Sequence, residues 1–200
     1  MKNVIKNELL ESINTLTQVL NDGKIINLIE RISKVLCKVS QENGNIFFAG
    51  NGGSAADSQH LAAELIGRFQ INRKPIKAQA LTTDTSILTS IGNDYSFKDI
   101  FKRQIEALGK KGDSLIVMST SGNSNNIINL IKEAKRKKII TIGLTGGNTS
   151  KLSNLCDYTI NIPSENTARI QEAHILIGHI ICGNIEDYLF GKIKDHDRNY

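Results

Sequence analysis

The sequence predicts an α/β fold: a five-stranded parallel sheet flanked by helices, with a helical hairpin before it and a long helix after it. Three observations predict this. Five short apolar runs, at 45–49, 76–81, 114–119, 139–145 and 158–162, are each bounded by turn residues. Segments with apolar residues at three- and four-residue steps lie between them, the order expected of parallel strands crossed over by helices. Two of the runs lead straight into loops rich in Gly, Ser and Asn that open the next helical segment.

Taken in order, residues 4–19 and 25–39 repeat apolar side chains with helical spacing, and Asn21, Asp22 and Gly23 break the pattern between them. After Asn43-Gly44 comes the first strand, ending in Gly50-Asn51-Gly52-Gly53-Ser54. Ser54 or a neighbour is placed to cap a helix over 55–68. Helical patterns follow at 84–91, 125–137 and 150–155, alternating with the remaining strands. The last segment, 167–190, is apolar on most faces and so is expected to be buried. One small domain has too little core to cover it and the two N-terminal helices together, which predicts a homo-oligomer.

Two hundred residues with 40% hydrophobic and 22% charged content suit one α/β domain over 1–200. Within it, 1–43 forms the N-terminal helices, 44–190 the core with the last helix, and 191–200 a polar tail. Pro75 and Pro163 are isolated, and no linker composition separates two apolar blocks. No apolar run approaches the roughly 20 residues of a membrane helix, and residues near the N-terminus lack an apolar export signal. No membrane is expected, and the location expected is cytoplasmic. Cys37, Cys156 and Cys182 are odd in number, widely spaced and outside any Cys/His zinc motif, as reduced core thiols would be. The net charge is +5, with Lys132, Lys135, Arg136, Lys137 and Lys138 clustered. That cluster falls at a helix end, where cations complement the dipole, and no nucleic-acid partner is expected.

Ser119-Thr120-Ser121-Gly122-Asn123-Ser124 follows a strand and opens a helix. Hydroxyls, a Gly and unsatisfied N–H groups there converge on one point, as a phosphate requires. The 50–54 loop occupies the same kind of junction, with glycines that permit close backbone approach. Neither loop has dinucleotide or Walker spacing, which argues against NAD and ATP. Both should face one cleft at the carboxyl ends of the strands. His60 and Glu64 share a helix face at i and i+4 and can offer nitrogen and oxygen to one divalent metal, although such a pair is more often a surface contact. Gln171 and His179 are eight apart, about 80° round the helix and roughly 12 Å along it, so one ion is barely within their common reach. They either lean together or act in different sites of an oligomer. His174 lies on another face and His196 in the tail; both read as structural.

These residues resemble the sugar isomerase (SIS) family, and within it the sedoheptulose 7-phosphate isomerases, over nearly the whole chain. The matching stretches are the first loop through Glu64 and Arg68, Ile91-Gly92-Asn93-Asp94, Ser119 to Ser124, and Arg169-Ile170-Gln171-Glu172 through His179. The resemblance implies a zinc ion held by His60, Glu64, Gln171 and His179, with Glu64 and His179 also carrying protons. It implies a phosphosugar held by Asn51, Gly52, Gly53, Ser54, Glu64, Asn93, Asp94, Ser119, Thr120, Ser121, Ser124 and Gln171. A homotetramer with sites between subunits is implied too, as is a place in heptose synthesis for lipopolysaccharide, capsule or glycoprotein.

A similar SIS protein binds the replication initiator DnaA and lacks the acid matching Glu64 and the imidazole matching His179; this chain has both, which favours an enzyme. A sugar-phosphate sensing module is the third alternative. Two departures bear on substrate preference: Ala168 stands where many of these isomerases carry an acid, and the turn at 145–148 is short.

Overall fold

Alternation of side chains along the strands sets the layers of the fold. The computed structural model describes residues 1–147 and 149–191; the expected polar tail, with His196, lies outside them apart from Gly191. Five strands, β1 (Ile46–Gly50), β2 (Ala78–Ala80), β3 (Ser114–Ser119), β4 (Ile140–Gly146) and β5 (Tyr158–Ile162), pair in parallel in the order β2-β1-β3-β4-β5. Gly50 pairs with Met118 and Met118 with Leu144, so the carboxyl ends of the three central strands are level.

Eight helices surround this sheet among the described residues: α1 (Lys2–Asn21), α2 (Gly23–Gln41), α3 (Gly53–Ile66), α4 (Thr85–Asp94), α5 (Lys102–Leu108), α6 (Asn125–Arg136), α7 (Lys151–Leu155) and α8 (Thr167–Phe190). Ile46, Phe48, Ile116, Met118, Ile142 and Leu144 point to one face and form a core with α2, α3 and α8. Their neighbours Phe47, Ala49, Leu115 and Val117 point to the other, into a core with α4, α5 and α6. Helices on both faces explain why the strands read as continuous apolar runs. Each fully buried Leu, Ile or Phe contributes about 1.5–3 kcal/mol.

Side chains start several helices where the sequence suggests. The Asp22 carboxylate accepts from the backbone N–H of Lys24 (2.8 Å), Asp84 from Ile87 (2.9 Å) and Asn166 from Ala168 (3.0 Å). The third helix differs from expectation: α3 begins at Gly53 after Gly52, with no side-chain cap, and Ser54 lies inside it, buried. Pairing in β2 spans three residues of the expected six, as this edge strand has a single partner, β1.

Between β2 and β3 the sequence shows no periodic pattern after residue 91, yet the chain forms a 3-10 turn at Phe97–Asp99 and then α5. Seven residues are too few for a helical period to register. The buried Gln104 side chain holds this segment by donating to the carbonyls of Leu81 and Ile100, both at 2.9 Å.

The last helix is covered on one side within the chain: Ile170, Ala173, Ile177, Ile181 and Ile185 of α8 enter the core with α2 and α3, while Leu176, Ile180, Tyr188 and Phe190 stay exposed. More uncovered apolar surface sits on α1, where Val4, Ile5, Leu9, Leu10 and Ile13 are exposed. Charge holds the first half of α1 in place. The Arg169 guanidinium, buried on α8, reaches the Glu8 carboxylate at 3.0 Å and the Glu8 carbonyl at 2.8 Å.

Much of the basic cluster is engaged at a helix end. Lys137 caps the carbonyls of Glu106 and Gly109, Lys135 pairs with Asp157, and Arg136 with Glu133. The three cysteines are free thiols, and burial pushes those of Cys156 and Cys182 up to about 12. No described helix is long and apolar enough to cross a membrane.

His174 is fully buried on α8 beside the Thr145 carbonyl, 3.4 Å from its Nε2. Burial pushes its pKa down to about 4, so below pH 6.5 the unfolded chain takes up a proton that the folded chain refuses. Stability is therefore lost as pH falls from 6.5 toward 4, by about 2 kcal/mol between pH 7 and pH 5. Urea unfolding at the two pH values should show this difference shrink in His174→Gln.

Candidate active site

In a doubly wound sheet the chain departs from one strand to one side and from its neighbour to the other, leaving a crevice at the carboxyl ends of that pair. Here the pair is β1 and β3. From β1 the chain passes through α3 to β2 on one side; from β3 it passes through α6 to β4 on the other. Both loops singled out in the sequence follow these two strands.

An amide clasp joins the two loops. Asn51 Nδ2 donates to Asn126 Oδ1 at 2.9 Å, and Asn126 Nδ2 donates back to Asn51 Oδ1 at 2.8 Å. Asn126 is buried in the first turn of α6. The Asn51 side chain is therefore committed to the start of α6.

The second loop is braced from within. The Gly122 N–H donates to Ser119 Oγ (3.2 Å), and the Ser119 and Ser124 hydroxyls lie 3.4 Å apart. Gly122 has φ +63°, and a Cβ there would meet Ser150 and, at 2.7 Å, Thr145 Oγ1, so a larger residue has neither the conformation nor the room. Ser124 stands at the N-cap of α6 without a side-chain cap bond; the Ile127 N–H is taken by Asn126 Oδ1 at 2.9 Å, which leaves the N–H groups of Asn125 and Asn126 to an anion. Thr120 and Ser121 line an open cleft of about 300 Å³ with Gly146, Gly147, Ser164 and Thr167.

Packing of α3 on α8 assembles the third group of residues. Leu61 lies against Gly178, where a Cβ would come within 2.5 Å of the leucine; near the start of α3, a Cβ on Gly53 would come within 2.7 Å of the Gln171 amide. The helices thus run side by side in the same direction, and His60 and His179 fall opposite each other. Their Nε2 atoms are 2.8 Å apart, and Glu64 Oε1 is 3.1 Å from His60 Nε2.

All three donor atoms lie within 4.8 Å of one another. Two imidazole nitrogens and a carboxylate oxygen make a donor set that fits zinc, which takes such ligands at about 2.0–2.2 Å. Gln171, the fourth expected ligand, has its amide on Gly53, two helical turns before His60. The structure thus brings three of the four together within one chain.

The Phe69 ring stacks on His179, centroids 5.6 Å apart and 13° from parallel. Burial lowers the pKa of His179, His60 beside it lowers it further, and Glu64 pulls the other way. Burial likewise raises the carboxyl of Asp57, one turn before His60, against a smaller pull from His60. Asn93 and Asp94 end α4 and are exposed, with Asn93 Nδ2 donating to Asp94 Oδ1 at 2.8 Å. No described side-chain hydrogen bond joins them to either loop.

Phe69 and Asn126 escape sequence reasoning. Only for Asn126 was there a signal, its place just after the Ser-rich loop.

Residues 10–146 match the SIS domain family. The chain is 49% identical over 195 residues to a phosphoheptose isomerase of Clostridium acetobutylicum, covering 98% of this chain and 100% of that one. It is 50% identical over 192 residues to phosphoheptose isomerase 2 of Campylobacter jejuni, covering 96% of each. Among solved structures, phosphoheptose isomerase GmhA of Neisseria gonorrhoeae superposes with a TM-score of 0.87 at 39% identity, covering 93% of this chain and 98% of that one. These full-length matches include α8, which lies beyond the family match.

Without the amide clasp the two loops would no longer be held at a fixed separation. Asn126→Leu should weaken binding of inorganic phosphate about tenfold, close to 1.4 kcal/mol, by calorimetry. Unchanged affinity would show that the clasp does not shape the phosphate site.

Proposed function

The chain belongs to the SIS domain family, and we propose that it interconverts sedoheptulose 7-phosphate and D-glycero-D-manno-heptose 7-phosphate. It is an aldose-ketose isomerase of sugar phosphates. The observation that carries this reading is the convergence of His60, Glu64 and His179 at the helix that the first of two anion-suited loops opens, in a chain matched end to end by phosphoheptose isomerases.

Isomerisation moves a proton between C1 and C2 through a cis-enediol, and hydroxyl protons between O1 and O2. Glu64 is the base for the carbon-bound proton. His179, whose lowered pKa favours neutral imidazole, exchanges the hydroxyl protons. The loops supply position: Ser119, Thr120, Ser121 and Ser124 with the α6 N–H groups grip the phosphate, and Gly52, Gly53 and Ser54 approach the sugar. Holding the remote phosphate fixes the reacting carbons against the base. Asn93, Asp94 and Gln171 complete the proposed substrate contacts. Zinc held by His60, Glu64, Gln171 and His179 supplies, when bound, a Lewis acid for the sugar carbonyl.

Assembly follows from α1. Its exposed Ile5, Leu9 and Ile13 form a stripe suited to a second copy, and we read the active form as a homotetramer in which Gln171 of a neighbouring chain can reach the site. The reading also includes a cytoplasmic location and a step in activated-heptose synthesis for surface polysaccharide.

Zinc-loaded protein incubated with sedoheptulose 7-phosphate in D₂O should form the aldose with deuterium entering at C1 or C2, followed by NMR. Glu64→Gln and His179→Gln should each lose roughly 10² to 10⁴ in rate. Saturable binding without conversion would replace the enzyme with a sensing module. Light scattering should give the mass of four 22.0 kDa chains, and the paired change Leu9→Lys, Ile13→Lys should reduce it.

A further inference from the structure

Glu186 sits two turns beyond His179 on α8, on the same face, and is fully buried. Its carboxylate accepts from three successive backbone N–H groups: Phe69 at 3.1 Å, Gln70 at 3.0 Å and Ile71 at 2.6 Å. Its fourth partner is Arg73 Nε at 3.3 Å, and the Arg73 side chain is only 1% exposed. Arg73 spends its other N–H groups on carbonyl oxygens. Nη2 donates to Glu64 at 2.7 Å, and Nη1 to Leu65 at 2.6 Å and to Gly67 and Lys74 at 3.2 Å each.

Those contacts converge on the proposed proton carriers from behind. The carbonyls of Glu64 and Leu65 belong to the last turn of α3, whose carbonyls lack partners within the helix, so Arg73 closes the helix end that carries Glu64. The three N–H groups belong to the segment that carries Phe69, and the Phe69 ring stacks on His179. A buried ion pair is a poor route to stability, because desolvation offsets its attraction; its geometric effect here is specific.

We infer that the Arg73–Glu186 pair is a positioning device for the reaction. It fixes Glu64 through that residue's own carbonyl and fixes the His179 ring through Phe69. This rests on the proposed roles of Glu64 and His179, although the mechanical link from Glu186 through Phe69 to His179 can be tested without activity.

The experiment follows the His179 Hε1 resonance in metal-free, histidine-labelled protein at fixed pH, assigned by its loss in His179→Gln. Phe69→Leu removes the stacked ring and should shift that resonance. Glu186→Gln, which keeps the side chain's shape, should shift it in the same direction by releasing the segment. A resonance unmoved in folded Glu186→Gln, while Phe69→Leu moves it, would overturn the link, as would an unmoved resonance in Phe69→Leu. Should Glu186→Gln fail to fold, Arg73→Lys keeps the charge, loses the fork and takes its place under the same criterion.

In turnover, kcat should fall about tenfold in Phe69→Leu and Glu186→Gln with KM within twofold, as expected of an interaction lost in the transition state alone. Wild-type kcat in both folded variants would overturn the positioning role. A wild-type protein that does not turn over the sugar would sink the isomerase reading and leave the resonance test to decide the link.

Discussion

Everything at the candidate site depends on how closely α3 and α8 lie together. Gly53 faces the Gln171 amide and Gly178 faces Leu61, where a Cβ would come within 2.7 and 2.5 Å, so the two helices share one direction and one register. That register, not the spacing within either helix, sets His60 against His179. Residues 119 positions apart come within hydrogen-bonding distance because two glycines let the helices approach. A methyl group at 178 would press on a leucine that is itself fully buried, and the resulting displacement would open the His60–Glu64–His179 cluster directly.

The sheet performs the complementary task. Level carboxyl ends on β1 and β3 put two Gly- and Ser-containing loops side by side, and reversal of chain direction at that pair keeps the crevice clear of helices. Several polar groups in this region are committed to one another. Asn51 and Asn126 exhaust much of each other's hydrogen-bonding capacity, while Glu186 and Arg73 satisfy backbone groups that no helix or strand would pair. Such networks are costly to leave half made, and here they lie immediately beside the chemistry.

Much of this was legible in the sequence because it is local. Strand runs, the loops after them and the i, i+4 relation of His60 and Glu64 depend on neighbours a few positions away. The start of α3 differs from the sequence reading because Ser54 is a strong cap former by type, yet the helix opens two residues earlier than expected, at Gly53. The helix after residue 101 was too short to show a period. Phe69, Arg73, Glu186 and Asn126 could not be assigned, because their partners are distant in sequence and nothing in residue type signals them. Both α8 and α1 keep apolar side chains outside, and the share left uncovered on each is decided only by tertiary packing.

The way α1 is held has a consequence of its own. Its second half is anchored by Val19, while its first half is held by Arg169, on the Glu8 carbonyl and the carboxylates of Glu8 and Glu11, the latter 3.8 Å from the guanidinium, and by Asn166, which donates to Glu11 at 3.1 Å. Both glutamates are largely open to solvent, so dissolved salt competes with these contacts, whereas the buried core is indifferent to it. The helix bearing the uncovered apolar stripe is thus hinged to the rest of the protein by an attachment whose strength varies with ionic strength, and the protein's surroundings tune how firmly that stripe is presented.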